Sequence, residues 1–148
     1  MIKFLFVRHA DIDVQTSPAP ASSPGPSLNA AGRARALALA RVVGVAGVTH
    51  IFTSEFARTQ QTVEPTALKL GLPHRIAPEA EVHAMLSAVD GSVILIAGHS
   101  DTVPRMINAF GVTPPLPDLG EREFDNLFVV TAGAATGPIA LVRLKYGV

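Results

Sequence analysis

The sequence contains no cysteine among its 148 residues. That absence excludes disulfides, thiolate metal sites and a thiol nucleophile. It also lacks an excess of charge of either sign, since 12 basic and 12 acidic side chains cancel to a formal charge of +0. Nucleic-acid binding and polybasic membrane attachment both need a one-signed surface, so neither partner is expected. Long hydrophobic runs are missing too. The first apolar stretch, Ile2 to Val7, is interrupted by Lys3 and followed directly by Arg8-His9. It is too short for a signal-peptide core or a membrane span, and a soluble, cytoplasmic protein is the expectation. No phosphate-cradling P-loop, Gly-x-Gly-x-x-Gly fingerprint or Gly-x-Ser-x-Gly elbow occurs. The five histidines form no HxH or HxxxH pair, so no metal and no other cofactor is expected.

What the chain does have is an apolar fraction of 48% over a length suited to a single domain, residues 1–148. Ile2 to Val7 reads as a buried strand. Four prolines between residues 15 and 27 mark a loop that could overhang a neighbouring site. Asn29 is placed to cap a helix from Ala30 to about Val43, rich in Ala and Leu. His50 to Thr53 is a short strand, and Ser54 reads as the N-cap of a second helix, Glu55 to Leu70, stopped by Gly71 and Pro73. A weak strand at His74 to Ala77 precedes a short helix near Glu79 to Val89. Val93 to Ala97 is an interior strand, and Thr102 to Phe110 a helix with Pro104 in its first turn. Leu127 to Thr131 and Ile139 to Leu144 read as a β-hairpin. Strands alternating with helices predict an α/β fold: a three-layer α/β/α sandwich, its sheet mostly parallel with an antiparallel edge.

Two of these strands end on an imidazole. Arg8-His9-Ala10 closes the first, and His99 follows the fourth through Gly98. Ligands of open α/β sheets bind beyond the carboxyl ends of the strands, so both histidines point to one pocket. Arg58 sits one turn into its helix, and helical side chains lean toward the N-terminus, which aims it at the strand end at Thr53. Taken alone, an exposed helix arginine is the ordinary reading. Taken with the two histidines, Arg8, His9, Arg58 and His99 form a clamp for a phosphate. Ser100, Asp101 and Thr102 serve either as caps of the following helix or as contacts to the anion. Positive neighbours disfavour imidazolium and would keep His9 neutral, with a lone pair available for nucleophilic attack.

The segment Phe4-Leu5-Phe6-Val7-Arg8-His9-Ala10 resembles the Arg-His-Gly signature of the histidine phosphatase superfamily, the phosphoglycerate mutase-like fold. Leu28-Asn29-x-x-Gly32 is similar to the segment that opens that family's first helix. Thr53-Ser54 with Arg58-Thr59 and Thr62 resembles the second-arginine motif, and Ala97-Gly98-His99-Ser100 the second-histidine motif. The matches fall in the family's order across residues 4 to 105, and Glu123 to Val130 is similar to small bacterial members. The resemblance implies that His9 is the phosphorylated nucleophile, with Arg8, Arg58 and His99 completing the phosphate pocket and Ser100 beside it. Alanine stands at position 10 where the family usually has glycine, and its methyl group is expected to crowd the pocket slightly.

A proton donor is expected between the second-arginine helix and the second-histidine strand, where Glu79 and Glu81 lie. Glu81 is the choice, Asp101 the runner-up, and Asp11 and Asp13 further options. The remaining histidines, His50, His74 and His83, read as ordinary imidazoles outside the site. The reaction expected is metal-independent hydrolysis of a phosphomonoester or of protein phosphohistidine, on a small molecule or a phosphoprotein. A phosphoglycerate-type mutase and a non-catalytic phosphate-binding regulatory module are the alternatives. The sequence assigns no oligomeric state.

Overall fold

The computed structural model describes residues 1–13, 23–133 and 140–147. In chain order the elements are β1 (Ile2–Arg8), α1 (Ala30–Val43), β2 (His50–Thr53), α2 (Ala57–Leu70), β3 (His74–Ile76), β4 (Val93–Gly98), α3 (Thr102–Asn108), β5 (Asn126–Ala132) and β6 (Ala140–Lys145). Six strands form one sheet in the order β3-β2-β4-β1-β5-β6. The first four of that order run parallel, and β5 and β6 add the expected antiparallel edge.

Alternation along the central strands sorts the core into two faces. On one face Phe4 and Phe6 of β1 and Ile94 and Ile96 of β4 pack with Val103, Met106 and Ile107 of α3 and with Phe110. On the other, Leu5, Val7, Leu95 and Ala97 pack with Leu39 and Val43 of α1 and Val63 and Ala67 of α2. The helices leaving β1 and β4 therefore cover opposite faces of the sheet. Such a reversal between neighbouring parallel strands opens a crevice at their carboxyl ends.

Local chemistry explains most element boundaries. Asn29 caps α1 as expected, its Oδ1 accepting from the Gly32 amide at 2.8 Å. Gly71, in the left-handed region, ends α2. Three boundaries depart from the expectations. Ser54 does not cap α2, which begins at Ala57 after an extended Phe56. The span Glu79 to Val89 forms two short 3₁₀ turns, Glu79–Glu81 and His83–Ser87, instead of an α-helix. Its apolar residues Met85, Leu86 and Ala88 pack on the β4 face of the core while their neighbours face water, so burial and not helix propensity sets the shape. α3 stops at Asn108, two residues short of Phe110. Ile139, the turn before β6 and residues 14–22 of the proline-rich loop, with the expected overhang, lie outside the described residues. Among the described residues no helix is long and apolar enough to cross a membrane.

Gly32 shows how tightly α1 is set against the chain that leaves β1. A Cβ there would stand 2.1 Å from the carbonyl oxygen of Asp11. Backbone on both sides leaves nothing to yield. Gly32→Ala is expected to lower stability by about 1–3 kcal/mol, the usual range for overpacking. Urea unfolding measures this, and an unchanged midpoint would mean that α1 and the Asp11 backbone are free to separate.

Candidate active site

The strands that carry the expected residues end level with one another. Arg8 stands opposite Gly98 in the β1–β4 ladder, and Thr53 opposite Ala97 in the β2–β4 ladder. The pairing continues one residue further, because the His9 amide donates to the Gly98 carbonyl at 2.8 Å. His9 and His99 are thereby delivered side by side, with ring centroids 5.4 Å apart. The backbone of His99 is fixed in turn by its N–H donating to Thr102 Oγ1 at 2.9 Å.

Each imidazole is held by its second nitrogen. Nδ1 of His9 lies 2.8 Å from the Ala10 carbonyl oxygen. A carbonyl only accepts, so Nδ1 carries the proton and Nε2 keeps the lone pair. Burial is the main cause that lowers the pKa of His9 to about 3. The Ala10 hydrogen bond opposes it, and the charges of Arg8, His99 and Arg58 add to it. His99 is lowered to about 4, again chiefly by burial, then by Arg58, with Asp101 opposing and Arg8 adding. Both rings are neutral at neutral pH.

The two guanidiniums flank them. Arg8 Nη1 donates to the carbonyls of Gly120 and Glu123 at 2.9 and 3.0 Å, and its Cζ lies 4.1 Å from the centre of the Phe124 ring. Burial, then the neighbouring charge of Arg58, lowers its pKa to about 10, so it stays cationic. Arg58 is 8% exposed and its Cζ sits 4.6 Å over Phe56. Burial lowers its pKa as well. Its Nε and Nη1, and Nε of Arg8, have no hydrogen-bond partner among the described residues. Two buried cations that keep unused donors in one crevice are suited to receive a compact anion.

Position 10 differs from the expected crowding. The Ala10 methyl is fully buried against Leu28 and Ala36, in a small cluster of its own. Its amide donates to Thr62 Oγ1 at 2.8 Å, and Thr62 in turn donates to the Arg58 carbonyl at 2.7 Å. One threonine thus ties the His9 loop to the helix that carries Arg58.

The acids separate by position. Glu79 lines a small cavity of about 50 Å³ with Thr53, Ser54, His99 and Thr102, while accepting from Arg105 Nη1 at 3.0 Å. Glu81 is exposed and is not among the residues lining that cavity. The 3₁₀ turn places the two acids differently, and Glu79 is the one that shares a cavity with His99. Asp101 caps α3, its Oδ1 accepting from the Thr102 amide at 2.9 Å and its Oδ2 lying 3.4 Å from Arg105 Nη2. Ser100 is half-buried, and its carbonyl accepts from the Leu119 amide. Asp11 is paired with Arg35 at 2.6 Å, and Asp13 accepts from Asn29 Nδ2 at 3.2 Å. These two acids line a cavity of about 430 Å³ with Asn29, Arg122 and Phe124. His50 and His83 are exposed, and His74 lines a separate groove along α2. No cluster of three or more metal-ligating side chains occurs among the described residues.

Sequence reasoning missed several members of the site. Phe124 stacks beneath Arg8 and lies 5.8 Å from the His9 ring, yet it sits in a loop without periodicity. Ser54, read as a cap, places its Oγ 2.8 Å from His99 Nε2. Thr59 and Thr62 read as members of the second-arginine motif, but without a role in the site.

Comparison with known proteins bears on the fold and the family. No curated protein matches the sequence at a significant level. Among solved structures, the protein histidine phosphatase SixA complexed with tungstate aligns with a TM-score of 0.75 at 18% identity, covering 97% of this chain and 96% of that one. A mycobacterial glucosyl-3-phosphoglycerate phosphatase aligns at 0.73 and 13% identity, covering 94% and 96%. YhfR of Bacillus stearothermophilus aligns at 0.73 and 15% identity, covering 95% and 96%. At these identities the likeness is one of fold: the phosphoglycerate mutase-like α/β architecture. The sequence model of the histidine phosphatase superfamily, branch 1, matches residues 4–83, more than half of the chain. The chain therefore belongs to the histidine phosphatase superfamily.

Proposed function

We propose that the protein is a metal-independent phosphatase that hydrolyses a phosphomonoester or protein phosphohistidine through a phosphohistidine formed on His9. The observation that carries this reading is the convergence of a neutral His9, its Nε2 lone pair free, with a buried Arg58 whose Nε and Nη1 lack partners. Superfamily membership supports it, and so do fold relatives described as phosphatases.

In the first step Nε2 of His9 attacks phosphorus, and the bond from phosphorus to the leaving oxygen or nitrogen breaks as the N–P bond forms. Arg8, Arg58 and His99 surround the transferring group and offset its charge. The leaving atom takes a proton from an acid, a role assigned to Glu79 from its place beside His99. Water then attacks phosphorus, loses its proton to the Glu79 carboxylate and breaks the N–P bond, releasing phosphate. Because Glu79 is shared with Arg105, a substrate with a good leaving group suits this site best. Phosphohistidine and aryl phosphates are of that kind.

A phosphate-release assay on an aryl phosphate and a phosphohistidine peptide tests the assignment. His9→Ala is expected to abolish turnover, and Arg58→Ala to lower kcat/KM by about 10²- to 10³-fold, as for other charge-stabilising donors. Chelator should leave the wild-type rate unchanged. An acid-labile, base-stable label on wild type, absent from His9→Ala, marks attack by the imidazole. Persistent turnover in His9→Ala would remove the nucleophile.

The acid has its own test. Glu79→Gln is expected to lower kcat/KM for an alkyl phosphate by about 10²-fold while sparing that for an aryl phosphate, because kcat/KM reports phosphoenzyme formation, and to lower kcat for both, because water attack uses the same carboxylate. Glu81→Gln should leave both near wild type, and the opposite pattern would return the role to Glu81.

The lowered histidine pKa values also predict a pH dependence of stability. An unfolded histidine titrates near 6.5, whereas folded His9 and His99 titrate near 3 and 4. Between those values the unfolded chain binds more protons, so stability is full above pH 6.5 and falls as pH drops toward 4. The two rings together should give a slope approaching about two protons, and His9→Asn should remove about one. Urea titrations across this range measure it. A flat profile from pH 6.5 to 4.5 would show the rings to be freely protonated in the folded protein.

A further inference from the structure

Ser54 was expected to cap a helix, and the late start of α2 releases its hydroxyl for other use. Its Oγ lies 2.8 Å from His99 Nε2, 2.8 Å from Thr59 Oγ1 and 3.4 Å from the Phe56 amide nitrogen. A serine hydroxyl has one proton to donate and two lone pairs to fill. Thr59 decides which way that proton goes. Its Oγ1 stands 2.9 Å from the Phe56 carbonyl oxygen and 3.1 Å from the Ser54 carbonyl oxygen, and it is fully buried. Carbonyl oxygens cannot donate, so at those distances the Thr59 proton must point at them. Oγ1 of Thr59 is then left as an acceptor, and Ser54 donates to it. With that proton committed, Ser54 Oγ can only accept from His99, and the weak contact from the Phe56 N–H fills its second lone pair.

We propose that Ser54, oriented by Thr59, is a positioning residue that fixes His99 as the tautomer with its proton on Nε2. The chain of donors runs one way: His99 Nε2–H to Ser54, Ser54 O–H to Thr59, Thr59 O–H to the backbone of the turn before α2. His99 is packed edge-on against Phe56, with centroids 5.0 Å apart, so the ring has a defined orientation as well as a defined proton. A neutral imidazole offers one donor and one acceptor, and a ring free to exchange them would leave no fixed nitrogen to take the proton that a bound dianion favours; with Nε2–H given to Ser54, that nitrogen is Nδ1. Ser54 removes that exchange. The catalytic consequence rests on the phosphatase reading above, while the tautomer itself does not.

The tautomer is read directly from long-range ¹H–¹⁵N correlation spectra of the histidine rings at neutral pH, with His99→Gln used for assignment. In wild type the expected pattern for His99 is protonated Nε2 and unprotonated Nδ1. Thr59→Val keeps the shape but takes away the acceptor for the Ser54 proton, which then turns to His99 and reverses the pattern. Ser54→Ala should give a mixture of tautomers and lower kcat about tenfold with a smaller change in KM, the worth of one ordinary hydrogen bond. Ser54→Thr, which retains the hydroxyl, should restore both. Protonated Nδ1 on His99 in wild type would overturn the proposal, as would an unaltered wild-type pattern in Thr59→Val. If His9→Ala kept full activity while the tautomers behaved as described, the phosphatase mechanism would fall and the hydroxyl relay would stand.

Discussion

Everything at this site follows from the burial of two like-charged guanidiniums, Arg8 and Arg58, neither with a salt-bridge partner among the described residues. Burial dominates the lowering of the pKa of Arg8, and the charge of Arg58 adds to it. Such an arrangement is costly in the free protein, since a buried cation is ordinarily paired. The nearby acids are engaged elsewhere: Asp11 with Arg35, Asp101 with the α3 amide, Glu123 with Arg143 and Asn126. The histidines stay neutral chiefly because they are buried too, and the arginine charges add to that effect. A compact dianion would act on both pairs at once, relieving the repulsion of the arginines and raising the affinity of His99 for a proton.

The sheet supplies the rigidity that this arrangement needs. β1 and β4 lie at the centre, with Phe4, Phe6, Leu95 and Val7 each 0% exposed, so the strand ends cannot drift without opening the core. The His9 amide extends that ladder by one bond, which leaves the proposed nucleophile anchored as part of the sheet. Thr62 adds a cross-tie to α2, and the Gly120–Phe124 loop supplies carbonyls and an aromatic face to Arg8. Groups held this way lose little freedom when a substrate arrives.

The parts of this design that repeat with a period were legible in the sequence. Apolar runs gave the strands, the Asn29 cap and Gly71 gave helix ends, and a strand-end rule placed His9, His99 and Arg58 on one edge. What escaped was set by tertiary contacts. Ser54 has the chemistry of a cap, and only the position of His99 across the crevice diverts it. Glu79 and Glu81 are two residues apart and chemically equivalent, and the 3₁₀ turn that separates their surroundings depends on Val82, Met85 and Leu86 packing under β4. Phe124 occupies a loop with no pattern, and its partners are more than a hundred residues away in sequence. Ala10 is a departure whose outcome turns on Leu28 and Ala36, which offer its methyl a pocket away from the chemistry. With no positive φ at any described residue other than glycine, alanine meets no conformational penalty there.

In the proposed mechanism, the pairing of Glu79 with Arg105 bears on the chemical range of the site. Arg105 reaches Glu79 at 3.0 Å and Asp101 at 3.4 Å, yet its side chain is 60% exposed, so the pairing is screened and worth little. A carboxyl so weakly held can exchange partners as a leaving group arrives. The proposed mechanism asks that carboxyl for a proton in its first step. An alkoxide leaving group demands that proton at the moment of bond breaking, whereas an imidazole or phenolate departs with less assistance. The second step needs the opposite: a base to take a proton from water, which the carboxylate left by that donation supplies. Under the proposed mechanism the site therefore depends on its acid most when the leaving group is poor. Substrates with activated phosphoryl groups would depend on that donation least.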